Sequence, residues 1–146
     1  MRRTPALLAI ATAAAIGLLT SAVPGTAAPA AAPRPAHLEA VLVGGNEVPG
    51  PGDPDAFGLA DVIVGGGEVC WLISVRDAER ITAAHIHAGP AGVSGPVVIT
   101  LDPIRDGCAE AKGRLVRFIK QHPDQFYVNL HNDEFPNGAV RGQLLP

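Results

Sequence analysis

Aromatic and charged side chains are both scarce in this chain of 146 residues: Phe, Trp and Tyr make up 4% of it, and Asp, Glu, Lys and Arg 17%. Positive charge is the scarcer sign, with 11 Lys and Arg against 14 Asp and Glu, so there is no broad attraction for phosphate backbones and nucleic acid is not an expected partner. Cysteine is limited to Cys70 and Cys108, with no Cys-x-x-Cys spacing to suggest a thiolate metal site or a redox-active pair. Serine is limited to Ser74 and Ser94 after the first thirty residues. Ser74 alternates within a strand-like run, and Ser94 sits in a Gly-rich loop without the strand-turn-helix elbow of a nucleophilic hydrolase. That loop, Gly89 to Gly95, also lacks the lysine and following helix of a phosphate loop. Asp53, Asp55, Asp133 and Glu134 fall in turn sequences, where solvation is the expected role, so paired carboxylates for glycoside hydrolysis lack support.

Hydrophobic residues, at 47%, and the 17 Gly and 14 Pro dominate what is present. Arg2 and Arg3 precede a run without charge from Pro5 to Val23, and small residues follow at Gly25-Thr26-Ala27 and Ala28-Pro29-Ala30. This is the pattern of a secretory signal peptide over residues 1–30. The competing membrane anchor is disfavoured because Ala dominates the run and Gly17, Pro24 and Gly25 break it. A Pro/Ala linker over residues 31–36 and a single domain over residues 37–146 complete the expected organisation, with nine basic against 14 acidic residues and a net charge of −5 once the leader is removed. The mature chain is expected to be secreted and monomeric, with no membrane span.

From Leu38 onward, hydrophobic runs of five to eight residues alternate with Gly/Pro/Asp clusters: Leu38 to Val43, Phe57 to Val64, Val69 to Val75, Ile81 to His87, Val97 to Leu101, Phe126 to Leu130 and Ala139 to Leu145. This predicts an all-β protein, an antiparallel Greek-key or Ig-like sandwich of about seven to eight strands. One segment departs from the pattern. Leu115, Val116, Phe118 and Ile119 recur at helical intervals before Pro123, which predicts a short connecting helix over Gly113 to Gln121 with a solvated basic face. In an oxidising compartment the two cysteines read most simply as a disulfide between Cys70, in the run Glu68 to Ile73, and Cys108, after the turn Arg105-Asp106-Gly107.

The stretch Ala84-His85-Ile86-His87-Ala88-Gly89 carries the most chemistry. Side chains two apart on a strand share a face, so His85 and His87 point one way and Ile86 the other. Tyr127, Asn129 and His131 likewise share a face, and if the two strands are neighbours three histidines converge. Two readings stand side by side. The imidazoles tie loops through backbone carbonyls in a polar network with Glu47, Asn129 and Arg141, with no cofactor; or His85, His87 and His131 hold a copper or zinc ion. His37 and His122 are expected to be solvated.

Five ordered blocks bring these pieces together: Leu42-Val43-Gly44-Gly45-Asn46-Glu47-Val48-Pro49, Ala84-His85-Ile86-His87-Ala88-Gly89, Gly95-Pro96-Val97-Val98, Tyr127-Val128-Asn129-Leu130-His131, and Phe135 to Leu144. Together they resemble the CHRD domain, first named from chordin. The resemblance implies an extracellular all-β domain without an established catalytic residue. It implies a non-enzymatic binding or structural module whose partner is an extracellular protein or surface component. Chordin's growth-factor ligand does not carry over, because the cysteine-rich repeats that accompany the domain there are missing here. Glu47-Val48-Pro49-Gly50-Pro51 departs from the consecutive prolines frequent in the family, which implies an altered loop. The His-x-His strand is also similar to that of copper/zinc superoxide dismutases, with His131 and Arg141 as conceivable partners, which is the chemical content of the metal-binding alternative.

Overall fold

The computed structural model describes residues 34–146, so the expected leader at residues 1–30 and the first part of the linker lie outside the described residues. Eight strands follow in chain order: β1 (Ala36–Val43), β2 (Phe57–Gly65), β3 (Glu68–Arg76), β4 (Ile81–Ala88), β5 (Val97–Thr100), β6 (Asp106–Glu110), β7 (Phe126–Asn132) and β8 (Val140–Gln143). One helix, α1 (Gly113–Gln121), lies between β6 and β7 at the expected residues. β1 begins at Ala36, inside the expected linker. Asp106 and Gly107, expected as a turn, belong to β6, a strand whose small and acidic residues carry no hydrophobic run.

All pairings are antiparallel, and they link the strands into one sheet in the order β5-β4-β7-β8-β1-β2-β3-β6. The all-β antiparallel architecture of about eight strands with one helix is as expected, and the sheet is nearly a barrel, with its thinnest ladder between β1 and β8. The β1–β8 ladder pairs only Val43 with Arg141 and is extended, beyond β8, by the reciprocal backbone bonds of Glu39 and Leu145 at 2.8 and 2.9 Å. Gly142 permits that approach, since a Cβ there would lie 2.3 Å from the Val41 carbonyl oxygen.

Strand alternation places the core. Leu38, Ala40 and Leu42 of β1, Ala60, Val62 and Val64 of β2, and Val69, Trp71 and Ile73 of β3 point inward, while Val41, Leu59 and Leu72 between them stay exposed. Ala84 and Ile86 of β4 and Val128 and Leu130 of β7 join the same apolar cluster from the other half of the sheet. Trp71 satisfies its indole by donating to the Pro103 carbonyl at 2.9 Å. α1 adds Val116 and Ile119 to the core, leaves Arg114, Arg117 and Lys120 outside it, and places Lys120 in its last turn, where it suits the helix dipole.

Cys70 and Cys108 form a disulfide and are directly opposed in the β3–β6 register. The bond closes a loop across a sequence separation of 38 residues. Replacing both cysteines by serine is expected to lower unfolding stability by about 3–4 kcal/mol on the loop-entropy argument, read from urea denaturation of the oxidised wild type beside the variant.

Candidate functional site

β7, like the shorter β8 beside it, has both of its faces covered. Phe126, Val128 and Leu130 face the apolar core, whereas Tyr127, Asn129 and His131 face outward, beneath the loops that follow β1, β4 and β7. The register completes this layer: His87 lies opposite Tyr127, which lies opposite Gln143, and His85 lies opposite Asn129, which lies opposite Arg141. His131 lies opposite Ala83 on β4, one pair further along. β4 and β7 are therefore neighbours, and the three histidines meet.

Most polar side chains of the layer reach for a loop, whereas His85 meets His131. The first loop, residues 44–56, sends in Glu47, whose Oε1 accepts from Asn129 Nδ2 at 2.8 Å. The second, residues 89–96, is held by the His87 Nδ1 contact with the Gly95 carbonyl at 2.8 Å and by Arg141 Nη2 donating to the Pro90 carbonyl at 2.9 Å. Gln143 Nε2 donates to the Gly89 carbonyl at 2.7 Å, and the Tyr127 hydroxyl accepts from Gly95 N at 3.1 Å. The third, residues 133–139, is bound by the His131 Nδ1 contact with the Pro136 carbonyl at 3.0 Å. Asp53, expected as a solvated turn residue, is buried instead, its Oδ1 accepting from Asp55 N and Ala56 N at 3.1 and 3.2 Å. His37 and His122 are exposed, as expected.

The rings are close. His87 stacks on Tyr127 with centroids 4.8 Å apart and planes within 10°, and the Arg141 guanidinium lies 3.4 Å from the centroid of the same tyrosine. His85 Nδ1 is 3.2 Å from His131 Nε2. One nitrogen from each of His85, His87 and His131 lies within 4.8 Å of the others. His87 Nε2, Asn129 Oδ1 and Arg141 Nη1 are buried without a hydrogen-bond partner. The other ligand-like group among the described residues, Glu68 with Cys70 and Cys108, has both sulfurs committed to the disulfide.

Burial shifts three of these groups toward their neutral forms. Removal from water lowers the His85 pKa from its ordinary 6.5, with His131 and His87 adding repulsion. His131 is lowered in the same way by burial, against the opposing pull of the Pro136 carbonyl and with help from His87. Glu47 is raised above 4.5 by burial, against the Asn129 hydrogen bond, the positive charge of Arg141 and a backbone bond at Val48. Arg141 is 1% exposed and Glu47 8%, so both side chains are buried in one layer, and among the described residues they do not form a salt bridge.

A family model for the CHRD domain matches residues 38–144. The chain belongs to the CHRD domain family. No curated protein and no solved structure matches it. Glu47, His85, His87, Asn129, His131 and Arg141, the residues expected to form the polar centre, all lie on the layer just described. Gln143 was missed; its signal was the alternation Arg141-Gly142-Gln143, which puts it on the face of Arg141. Tyr127 was placed on the right face, but its role as the ring between His87 and Arg141 depends on strand order.

Two outcomes follow from this CHRD layer. Gly138 has φ +146°, and a Cβ there would lie 2.3 Å from Glu47 Oε2 and 2.8 Å from Asn129 Nδ2, so Gly138→Ala should cost roughly 2–4 kcal/mol in urea denaturation. Because the folded-state pKa values of His85 and His131 lie below the unfolded value of 6.5, their contribution is fully present above that pH and is lost as pH falls through the folded values. Stability measured in the presence of a chelator should therefore drop as pH falls below 6.5, and less steeply in His85→Gln. Glu47, raised from 4.5, works in the opposite sense: its contribution is present below 4.5 and lost as pH rises through its folded value.

Proposed function

We propose that this CHRD chain is an exported, non-catalytic module that presents loops 44–56, 89–96 and 133–139 as one rigid recognition surface for an extracellular protein or surface component. The observation that carries this reading is the use made of the outer face of β4, β7 and β8. His87, His131, Arg141 and Gln143 each meet a loop carbonyl, and Asn129 grips the loop residue Glu47. Side chains committed in this way fix backbone conformation, and binding surfaces gain affinity when loops need no ordering on contact.

Two further points support the assignment. Among the described residues, the imidazoles of His87 and His131 are engaged by the Gly95 and Pro136 carbonyls, not by Ser74 or Ser94. A disulfide and a leader-like first thirty residues agree with an oxidising destination outside the cell.

The test uses the full chain expressed in a secreting bacterial host. The medium is expected to contain a protein whose first residue follows a cut between residues 27 and 30, with two cysteines that resist alkylation until reduced. Full-length, reduced protein confined to the cytosol would overturn the export reading. Amide exchange in the three loops as fast as in an unstructured peptide would overturn the rigid-surface reading.

A further inference from the structure

We propose that His85, His87 and His131 form a binding site for one late first-row transition-metal ion, zinc or copper, on the outer face of β4 and β7. This goes beyond the loop-presenting role and uses the same layer at atoms that the loop ties leave free.

The strand pleat brings the rings together, and the loop ties orient them. A carbonyl oxygen only accepts, so His87 and His131 carry their protons on Nδ1, where they meet Gly95 and Pro136. In a neutral imidazole the other nitrogen then holds the lone pair, so both Nε2 atoms are ligands in waiting. Backbone carbonyls that fix the tautomer in this way are the usual outer support of metal-binding histidines. His87 Nε2 is buried with no partner, the costly state of an acceptor that a ligand would relieve.

His85 supplies the third donor. Because His131 Nε2 bears the lone pair, the 3.2 Å contact with His85 Nδ1 requires the proton to sit on His85 Nδ1 in the metal-free chain. On binding, that proton moves through solvent to His85 Nε2. The ring stays neutral, three lone pairs face the ion, and no net proton is released at neutral pH.

The spacing suits this. Two nitrogens on a tetrahedral ion with bonds of about 2.0–2.1 Å lie about 3.3 Å apart, close to the 3.2 Å between His85 and His131. One nitrogen from each of the three rings lies within 4.8 Å of the others, so a small side-chain movement closes the set on one ion. Three neutral imidazoles without a carboxylate select zinc or copper over calcium or magnesium. Half-burial of all three rings leaves the ion a path from solvent.

The experiment strips the secreted chain with EDTA and titrates it with Zn²⁺, and separately with Cu²⁺, against a chromophoric chelator. One ion per chain is expected for either metal, with affinity falling roughly 100-fold in His85→Gln. His85 is the ring of choice because it ties no loop carbonyl, and its variant should remain folded in EDTA, with the wild-type far-ultraviolet circular dichroism. The double variant His37→Gln/His122→Gln should bind as wild type does.

Nitrogen-15 spectra of the unmodified chain give an independent reading. Zn²⁺ should shift His87 Nε2, His131 Nε2 and His85 Nδ1 while leaving His37 and His122 unchanged. Absence of stoichiometric binding would overturn the site. So would affinity unchanged in His85→Gln, affinity lost in the His37/His122 variant, or zinc shifts confined to those two exposed rings.

Discussion

The hydrogen bond from Asn129 Nδ2 to Glu47 Oε1 is the constraint on which the outer half of this molecule depends. It joins the middle of β7 to the first loop, 82 residues away in sequence, and sits between His85 on one neighbouring strand and Arg141 on the other. With the loop drawn down, β7 is covered on both faces, and its outer polar side chains turn to protein partners in place of water, Asn129 through its Nδ2 alone. Glu47 itself is desolvated there, which favours its protonated form, and Arg141 opposes that shift with its charge. The CHRD domain thus has an apolar core on one face of β7 and a polar one on the other.

The two cores are specified in different ways. The apolar one needs only alternation and volume, and residues such as Val62, Val128 and Leu130 meet both requirements without directional bonds. The polar one needs atoms at set distances: carbonyls of Gly89, Pro90, Gly95 and Pro136 within reach of four different side chains. The guanidinium of Arg141 satisfies one of these and spends its flat surface on Tyr127, a use of arginine that lysine does not reproduce.

Sequence pattern gave access to most of this because the apolar alternation is strong. The strands built on Val, Ile and Leu were legible to within a residue or two, and α1 was legible from the spacing of Leu115, Val116, Phe118 and Ile119. β6 was not, since Asp106-Gly107-Cys108-Ala109-Glu110 has the composition of a turn and is held as a strand by pairing with β3 and by the disulfide. Within the site, the face shared by His85 and His87, and that shared by Tyr127, Asn129 and His131, followed from a period of two. That β4 lies beside β7, and β8 on its other side, did not, because strand order is a property of long-range pairing. The burial of Asp53 was hidden for a related reason: its side chain caps its own turn, while the backbone of that turn is bonded to Ala139 far along the chain.

The near-barrel does not close, so the order of the sheet leaves β5 and β6 as its two outermost strands. An outermost strand exposes unpaired backbone donors and acceptors that can template association with another chain. β5 offers only four residues, Val97–Thr100, too short a rail for stable addition. β6 is longer, but it carries Asp106 at one end and Glu110 at the other, and its centre is covalently fixed to β3 through Cys108. A disulfide in this position does more than shorten the unfolded chain's reach. It prevents the marginal strand from peeling away and uncovering β3, whose Val69-Cys70-Trp71-Leu72-Ile73 run would be the most adhesive edge this protein could offer to a second copy of itself.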